Sequence, residues 1–220
     1  MNRWLAHHGI LGQKWGIRRY QNEDGTWTEV GKKRRNFQSA NKTYDSTENP
    51  KSLDNAADKA NEIYRTWTDR EKRMFSGEPN PDPDKWIDQE WIDFYYKGAN
   101  KNKHAGSSPY MNVTNIKDIP ISFVTVFKDE NADAIGIGVR NDPKYRQVGA
   151  AYEEGKKAVK YWLEHNGQDS LWWAAWNENV GSQKTAKKLG FEYVDNHDGW
   201  ERYILYRDKG EQWLKANGFK

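Results

Sequence analysis

The stretch Arg146-Gln-Val-Gly149-Ala150-Ala151 most constrains what this chain can fold into. It is a turn of small residues placed where an extended run gives way to a helical one. Such a turn lets a helix begin with its backbone N–H groups uncovered, and those groups together with the positive end of the helix dipole favour an anion. About thirty residues later comes Asn179-Val-Gly-Ser182-Gln-Lys-Thr-Ala-Lys-Lys-Leu-Gly190-Phe191. This segment reads as a helix that opens on an asparagine, stops at a glycine and hands over to a strand.

Periodicity places these two pieces in an alternating order. A helix is expected from Asp54 or Asn55 to about Phe75, with Ala56, Ala60, Ile63, Tyr64 and Trp67 on its apolar face. Pro79, Pro81 and Pro83 break the chain, and a second helix is expected over about Asp84 to Lys97. Strands follow at Tyr110–Ile116, Ile121–Lys128 and Ala134–Val139, the last two forming a hairpin around Asp129-Glu-Asn131. Then come a helix from Gly149 to Glu164, an apolar strand Leu171–Trp176, the helix Asn179–Leu189, strands Phe191–Asp195 and Trp200–Tyr206, and a short helix at 209–216.

Composition narrows the function classes. Only 35% of residues are hydrophobic, and twelve Trp and twelve Tyr must supply much of the core. There is no cysteine, which excludes disulfides, thiolate metal sites and a Cys nucleophile. No apolar run is long enough to span a bilayer and no signal peptide is evident, so no membrane partner is expected and a cytoplasmic location is. Residues 1–35 hold eight Lys or Arg against three acidic residues, whereas the remainder holds 27 against 29. The body is therefore close to neutral and nucleic-acid binding by it is not expected.

The Arg146–Ala151 turn, its lead-in Asp142-Pro-Lys-Tyr145 and the Asn179–Phe191 segment together resemble the cofactor-binding half of the GNAT N-acetyltransferases. Arg146, Gly149 and Ala151 match that family's Arg/Gln-x-x-Gly-x-Gly/Ala pattern. The resemblance covers about residues 55–206 and implies an α/β (α+β) fold, a mixed and mostly antiparallel sheet flanked by helices. The family's first strand has no clear counterpart; it lies within 36–54 or is absent. The resemblance further implies acetyl-CoA as co-substrate, no metal, and a diphosphate held by Arg146, Gln147, Val148, Gly149, Ala150 and Ala151. The pantetheine arm would lie along Val139 and its strand, in a V-shaped gap between neighbouring strands, with Asn179 and Ser182 as further contacts.

Gly136 and Gly138 on the Ala134–Val139 strand mark a close approach, by substrate or by a packed neighbour. Trp176, at a strand end, is a candidate substrate wall, although the tryptophans of 171–176 read most simply as core. Many relatives carry an acidic tyrosine seven residues after the asparagine; here that position is Ala186. The Asn-x-x-Ser pattern instead resembles the branch that acetylates ribosomal-protein N-termini, which makes Ser182 the candidate general acid. Glu178 is the candidate base, beside Asp133 and Glu130. Since an α-amine with a pKa of about 8 is about one-tenth neutral near pH 7, far more than a lysine, the acceptor that depends least on a base is an N-terminal amine on a protein; a small-molecule amine acetyltransferase and a non-catalytic GNAT-fold virion or anti-defence binding protein are the alternatives.

Residues 1–36, with His7-His-Gly9, Gly12-Gln-Lys-Trp-Gly-x-Arg-Arg-Tyr20-Gln-Asn22 and Asp24-Gly-Thr26, resemble a module at the ends of phage and prophage proteins. That resemblance implies docking on a phage or host protein and association with a virion. The division expected is a module over 1–36, a linker over 37–54, an acetyltransferase-like domain over 55–208 and a C-terminal tail over 209–220.

Overall fold

The computed structural model describes residues 20–76, 79–98, 109–129 and 134–218. The chain separates into two compact units, Met1–Ala40 and Asn41–Lys220. In the first, Gln21 bridges Trp27 around a turn in which Asp24 accepts from the Thr26 amide and hydroxyl. Helix α1 (Glu29–Ser39) follows, capped by the Thr28 hydroxyl, which accepts from the Gly31 N–H at 3.1 Å. The Arg34 guanidinium lies 5.2 Å from the Tyr20 ring, a cation–π contact inside this unit. Residues 1–19 lie outside the described part of the chain, and with them most of the module motif.

The second unit is a seven-stranded sheet in the order β1-β2-β3-β4-β5-β7-β6. Its strands are β1 (Lys42–Ser46), β2 (Tyr110–Ile116), β3 (Ile119–Asp129), β4 (Ala134–Asn141), β5 (Ser170–Trp176), β6 (Glu192–His197) and β7 (Trp200–Tyr206). Every neighbouring pair is antiparallel except β4 with β5. Strand β1 corrects the expectation of a linker over 37–54: this polar stretch pairs with β2 from Lys42 opposite Ile116 to Ser46 opposite Asn112. Its sequence Lys-Thr-Tyr-Asp-Ser carries no hydrophobic alternation, so the backbone ladder supplies a strand that periodicity does not reveal.

Helices α5 (Ala150–His165), α6 (Val180–Lys188) and α7 (Arg207–Ala216) follow the expected plan. Ala158, Val159 and Trp162 of α5 and Ala186 of α6 pack with Val124, Ile135, Ile137, Leu171, Trp173 and Ala175 on one face of the sheet. Helix α6 ends as its sequence requires. Gly190 has φ +92°, its N–H donates to Lys187 and that of Phe191 to Ala186, which satisfies two terminal carbonyls. The opposite face packs Met111, Val113 and Phe123 against Ala56, Ala60 and Ile63 of α2 (Ala56–Arg65) and against Ile87, Ile92 and Tyr96.

The long helix expected over 55–75 is two helices, α2 and α3 (Asp69–Ser76). The break is written in Thr68-Asp-Arg-Glu71. The Thr68 hydroxyl accepts from the Glu71 N–H at 3.3 Å and the Glu71 carboxylate accepts from the Thr68 N–H at 2.8 Å, a capping box that starts a new helix. Thr68→Ala is expected to cost about 1 kcal/mol of stability in urea unfolding. The helix expected over 84–97 is a short α4 (Gln89–Ile92) that widens into a π-turn at Asp93–Gly98.

Candidate active site

The segment between β4 and α5 is held from both sides. The Asp142 N–H donates to the Ile121 carbonyl, and the Asp142 carboxylate accepts from the Lys144 N–H at 2.7 Å, capping a 3-10 turn over Pro143–Tyr145. Beyond Arg146 the backbone turns left-handed twice, at Gln147 (φ +66°) and Gly149 (φ +102°). The strain at Gln147, on the order of 1–2 kcal/mol for a residue with a Cβ, was not visible in the sequence. Val148, between the two, is buried and anchors the turn. Among the described residues no backbone carbonyl accepts from the N–H groups of Gln147, Val148 or Gly149. The first amides of α5, from Ala150 and Ala151, add to this set, since a helix leaves its first N–H groups unpaired.

Helix α3 reaches both ends of the site. Its Glu71 pairs with Arg146 at 2.5 Å, and its Arg70 pairs with Glu178 just after β5. Burial works against the charge on Glu71, but the Thr68 N–H and hydroxyl and the Arg146 guanidinium outweigh it and hold the carboxyl below its ordinary range. Glu178 is exposed and its carboxylate is engaged by Arg70. Both pairs are partly or largely exposed, so a ligand can displace them at small cost.

Strands β4 and β5 run parallel but meet in register at one position, Gly136 opposite Trp172. Among the described residues no further ladder pair extends this register in either direction, so the β4–β5 seam is the weakest in the sheet. Val139 packs on the helix-covered core. On the other face the spaces at Gly136 and Gly138 are taken by side chains of the sheet itself: a Cβ at Gly136 would come 2.8 Å from the Phe127 ring, and one at Gly138 would come 1.8 Å from Arg140 Nη1. The tryptophan run of β5 is core on one side only. Trp173 and Ala175 are buried, whereas Trp172 and Trp176 are half-buried and Ala174 is exposed. Trp176 stands edge-on to Trp200, with ring centroids 5.4 Å apart, and its ring lies against Gly199.

Asn179 caps α6, its Oδ1 accepting from the Ser182 N–H at 3.1 Å. The Ser182 hydroxyl oxygen accepts from the Trp173 indole N–H at 2.9 Å. That bond occupies a lone pair and leaves the hydroxyl proton without an acceptor among the described residues. Sequence reasoning missed Trp173 because β5 reads as uniform apolar core. Among the described residues no group of three or more His, Cys, Asp or Glu is arranged to hold a metal ion, and no helix is long and apolar enough to cross a membrane. Glu130, Asp133 and His104 lie outside the described residues.

No curated protein matches the sequence. Among solved structures, the chain is similar to an N-acetyltransferase from Staphylococcus aureus Mu50 (TM-score 0.55, 14% identity, covering 76% of this chain and 99% of that one). It is likewise similar to an acetyltransferase of the GNAT family from Streptococcus pneumoniae (TM-score 0.54, 10% identity, 76% and 99%). A third similar structure is yncA from Salmonella typhimurium, solved with its cofactor acetyl-CoA (TM-score 0.53, 10% identity, 76% and 94%). At these identities the likeness is one of fold. The family profile of the acetyltransferase (GNAT) domain matches residues 53–192, which span both the turn before α5 and the Asn179–Phe191 segment. With well over half of its length matched by that profile, the chain belongs to the GNAT acetyltransferase family.

Proposed function

We propose that this protein is an acetyl-CoA-dependent N-acetyltransferase whose diphosphate cradle is the turn from Arg146 to Ala151. The observation that carries the reading is the double left-handed turn at Gln147 and Gly149, which leaves consecutive N–H groups free where α5 begins. Arg146 sits beside it and can exchange Glu71 for a phosphate oxygen. The thin β4–β5 ladder, one register pair, supports a place for the pantetheine arm between Val139 on one strand and Asn179 and Ser182 after the other. Gly136, Gly138 and Trp176 lie on or beside the face from which an acceptor would approach.

Acetyl-CoA supplies a thioester. The neutral amine forms a C–N bond at the carbonyl carbon, the C–S bond breaks, the amine releases a proton to solvent, and the departing sulfur takes a proton. Ser182 is the proposed donor of that last proton. The Trp173 indole fixes its oxygen, so its hydrogen is directed elsewhere. Glu178 can serve as a base only after its pair with Arg70 opens.

Calorimetry tests the reading directly. Acetyl-CoA should bind the wild type, and Arg146→Ala should bind it about tenfold more weakly, the loss expected for one exposed charge-assisted contact. No binding by the wild type sinks the proposal and leaves a non-catalytic GNAT-fold component. Ser182→Ala should lower kcat about 10- to 100-fold while leaving acetyl-CoA affinity within a factor of two or three. An unchanged kcat removes Ser182 from the chemistry.

For the acceptor we retain an amine on a protein, and for residues 1–36 a docking role in a phage-associated protein of the host cytoplasm or virion. Both rest on the sequence patterns. The ribosomal-protein branch is supported by Ser182 and by the absence of a tyrosine at Ala186.

A further inference from the structure

On the acceptor face of β4, two residues after Gly138, stands Arg140. Its guanidinium folds back along the strand and lies on Gly138, filling the space that a side chain there would need. Three rings surround it, with Cζ 4.2 Å from the centre of Phe75, 5.3 Å from Trp86 and 5.6 Å from Phe123. Its one hydrogen-bond acceptor among the described residues is the Thr125 hydroxyl, 3.4 Å from Nη1. Nε is enclosed and has no partner. No carboxylate among the described residues pairs with it, although the residue as a whole keeps partial exposure.

A guanidinium presents five N–H donors in a plane and stays protonated. Ring faces favour its charge but accept none of its in-plane N–H bonds. Removing such a charge from water without an anion is costly, and nothing in the sheet requires a cation at this position. The group is therefore incomplete: a cation with free donors, set on the β4 face that carries Gly136 and Gly138. A planar, two-oxygen anion is the partner its geometry matches.

From this arrangement we propose that Arg140 anchors a carboxylate of the acceptor, so that the substrate is an amine that also carries a carboxylate. This rests on the transferase reading above. The carboxylate can belong to a free amino acid or to an acidic side chain near a peptide N-terminus, because the guanidinium reads the same group in both. The same charge disfavours polycationic acceptors, which would bring ammonium groups toward it. Burial pulls Arg140 down to about 10, against a smaller opposing pull from the Tyr96 side chain.

The test uses the full chain with acetyl-CoA and matched acceptors. These are amino acids against their carboxamides, and short peptides with Glu against Gln at the second position. Release of free CoA thiol gives kcat/KM, and calorimetry in the presence of CoA gives affinity whether or not turnover occurs. The carboxylate forms should be favoured about 100-fold in at least one of the two series, and which series responds identifies the source. Arg140→Met should reduce that ratio to about 3 or less, with acetyl-CoA affinity unchanged and a thermal midpoint no lower than the wild type's, since it replaces an unpaired charge by an apolar chain among rings. Arg140→Lys should recover part of the preference. Equal use of carboxylates and amides, a preference that survives in Arg140→Met, or failure of both series to bind while acetyl-CoA binds normally would overturn the carboxylate anchor and leave the transferase reading standing. Failure of acetyl-CoA itself to bind would remove both.

Discussion

Gly149→Val is expected to weaken acetyl-CoA binding by at least about 100-fold without unfolding the protein. Gly149 holds φ +102° at the start of α5, a conformation that a β-branched residue reaches only as an outlier. The strain, roughly 1–2 kcal/mol, can be relieved only by rotating the peptides on either side. That rotation redirects the Val148, Gly149 and Ala150 N–H groups, which the proposed cradle needs aimed at one anion. Hydrogen bonds from such amides to a charged phosphate contribute about 1.5–3 kcal/mol each, so misdirecting one or two accounts for the expected loss. A valine side chain would also stand beside the turn where we propose that the diphosphate binds. Calorimetric titration with acetyl-CoA, beside a circular dichroism spectrum that matches the wild type, checks the result. An unchanged dissociation constant would place the diphosphate elsewhere. Gly149→Ala should show the same trend with a smaller change.

Glu154→Ala should cost the fold about 3–5 kcal/mol, whereas Glu154→Gln should cost nothing near neutral pH. Glu154 is buried on α5, one turn beyond its first residue, Ala150. It accepts from the Asn112 amide at 2.6 Å and from the Thr114 hydroxyl, and Lys157, whose ammonium lies over the Tyr44 ring, reaches it at 3.4 Å. Alanine leaves the Asn112 and Thr114 donors and the half-buried Lys157 without their acceptor. Glutamine keeps the shape and one acceptor oxygen for Thr114 and Lys157, and its amide N–H2 is met by the Asn112 side-chain oxygen once that amide turns over.

The pH dependence separates charge from shape. Burial pushes the Glu154 carboxyl above its ordinary 4.5, against the pull of Lys157, Thr114 and Asn112. The folded state therefore binds this proton more tightly than the unfolded chain. The group's contribution to stability is complete below 4.5 and is lost as the pH rises through the raised folded value. Relative to the wild type, Glu154→Gln should gain stability as the pH rises from 4 to 8. Urea unfolding at both ends of that range measures the difference. A gain that runs the other way would mean that the pair with Lys157 dominates burial.

Much of this architecture is legible in the chain. Strands β2 to β5 and β7 and helices α5 and α6 carry hydrophobic periodicity long enough to identify, and Gly190 marks the end of α6 as clearly in sequence as in structure. Strand β1 and the break between α2 and α3 were harder to read for different reasons. β1 is defined by a ladder to a strand more than sixty residues away, which local pattern does not encode. The break was encoded, in Thr68-Asp-Arg-Glu71, but a continuous run of apolar positions at helical spacing concealed it.

The site divides in the same way. By itself the sequence determined the turn from Arg146 to Ala151, the glycine that lets it form, and the helix that follows, because these depend on local backbone freedom and on small side chains. Only the tertiary structure decided which groups face one another: Glu71 on Arg146, Arg70 on Glu178, the Trp173 indole on the Ser182 oxygen, and Arg140 folded onto Gly138 beneath three rings. These partners lie far apart in the chain, and side-chain polarity alone does not name a partner. The fold places them side by side, and burial makes the Trp173–Ser182 bond and the missing anion at Arg140 energetically consequential, whereas the exposed pairs at Arg146 and Glu178 stay weak.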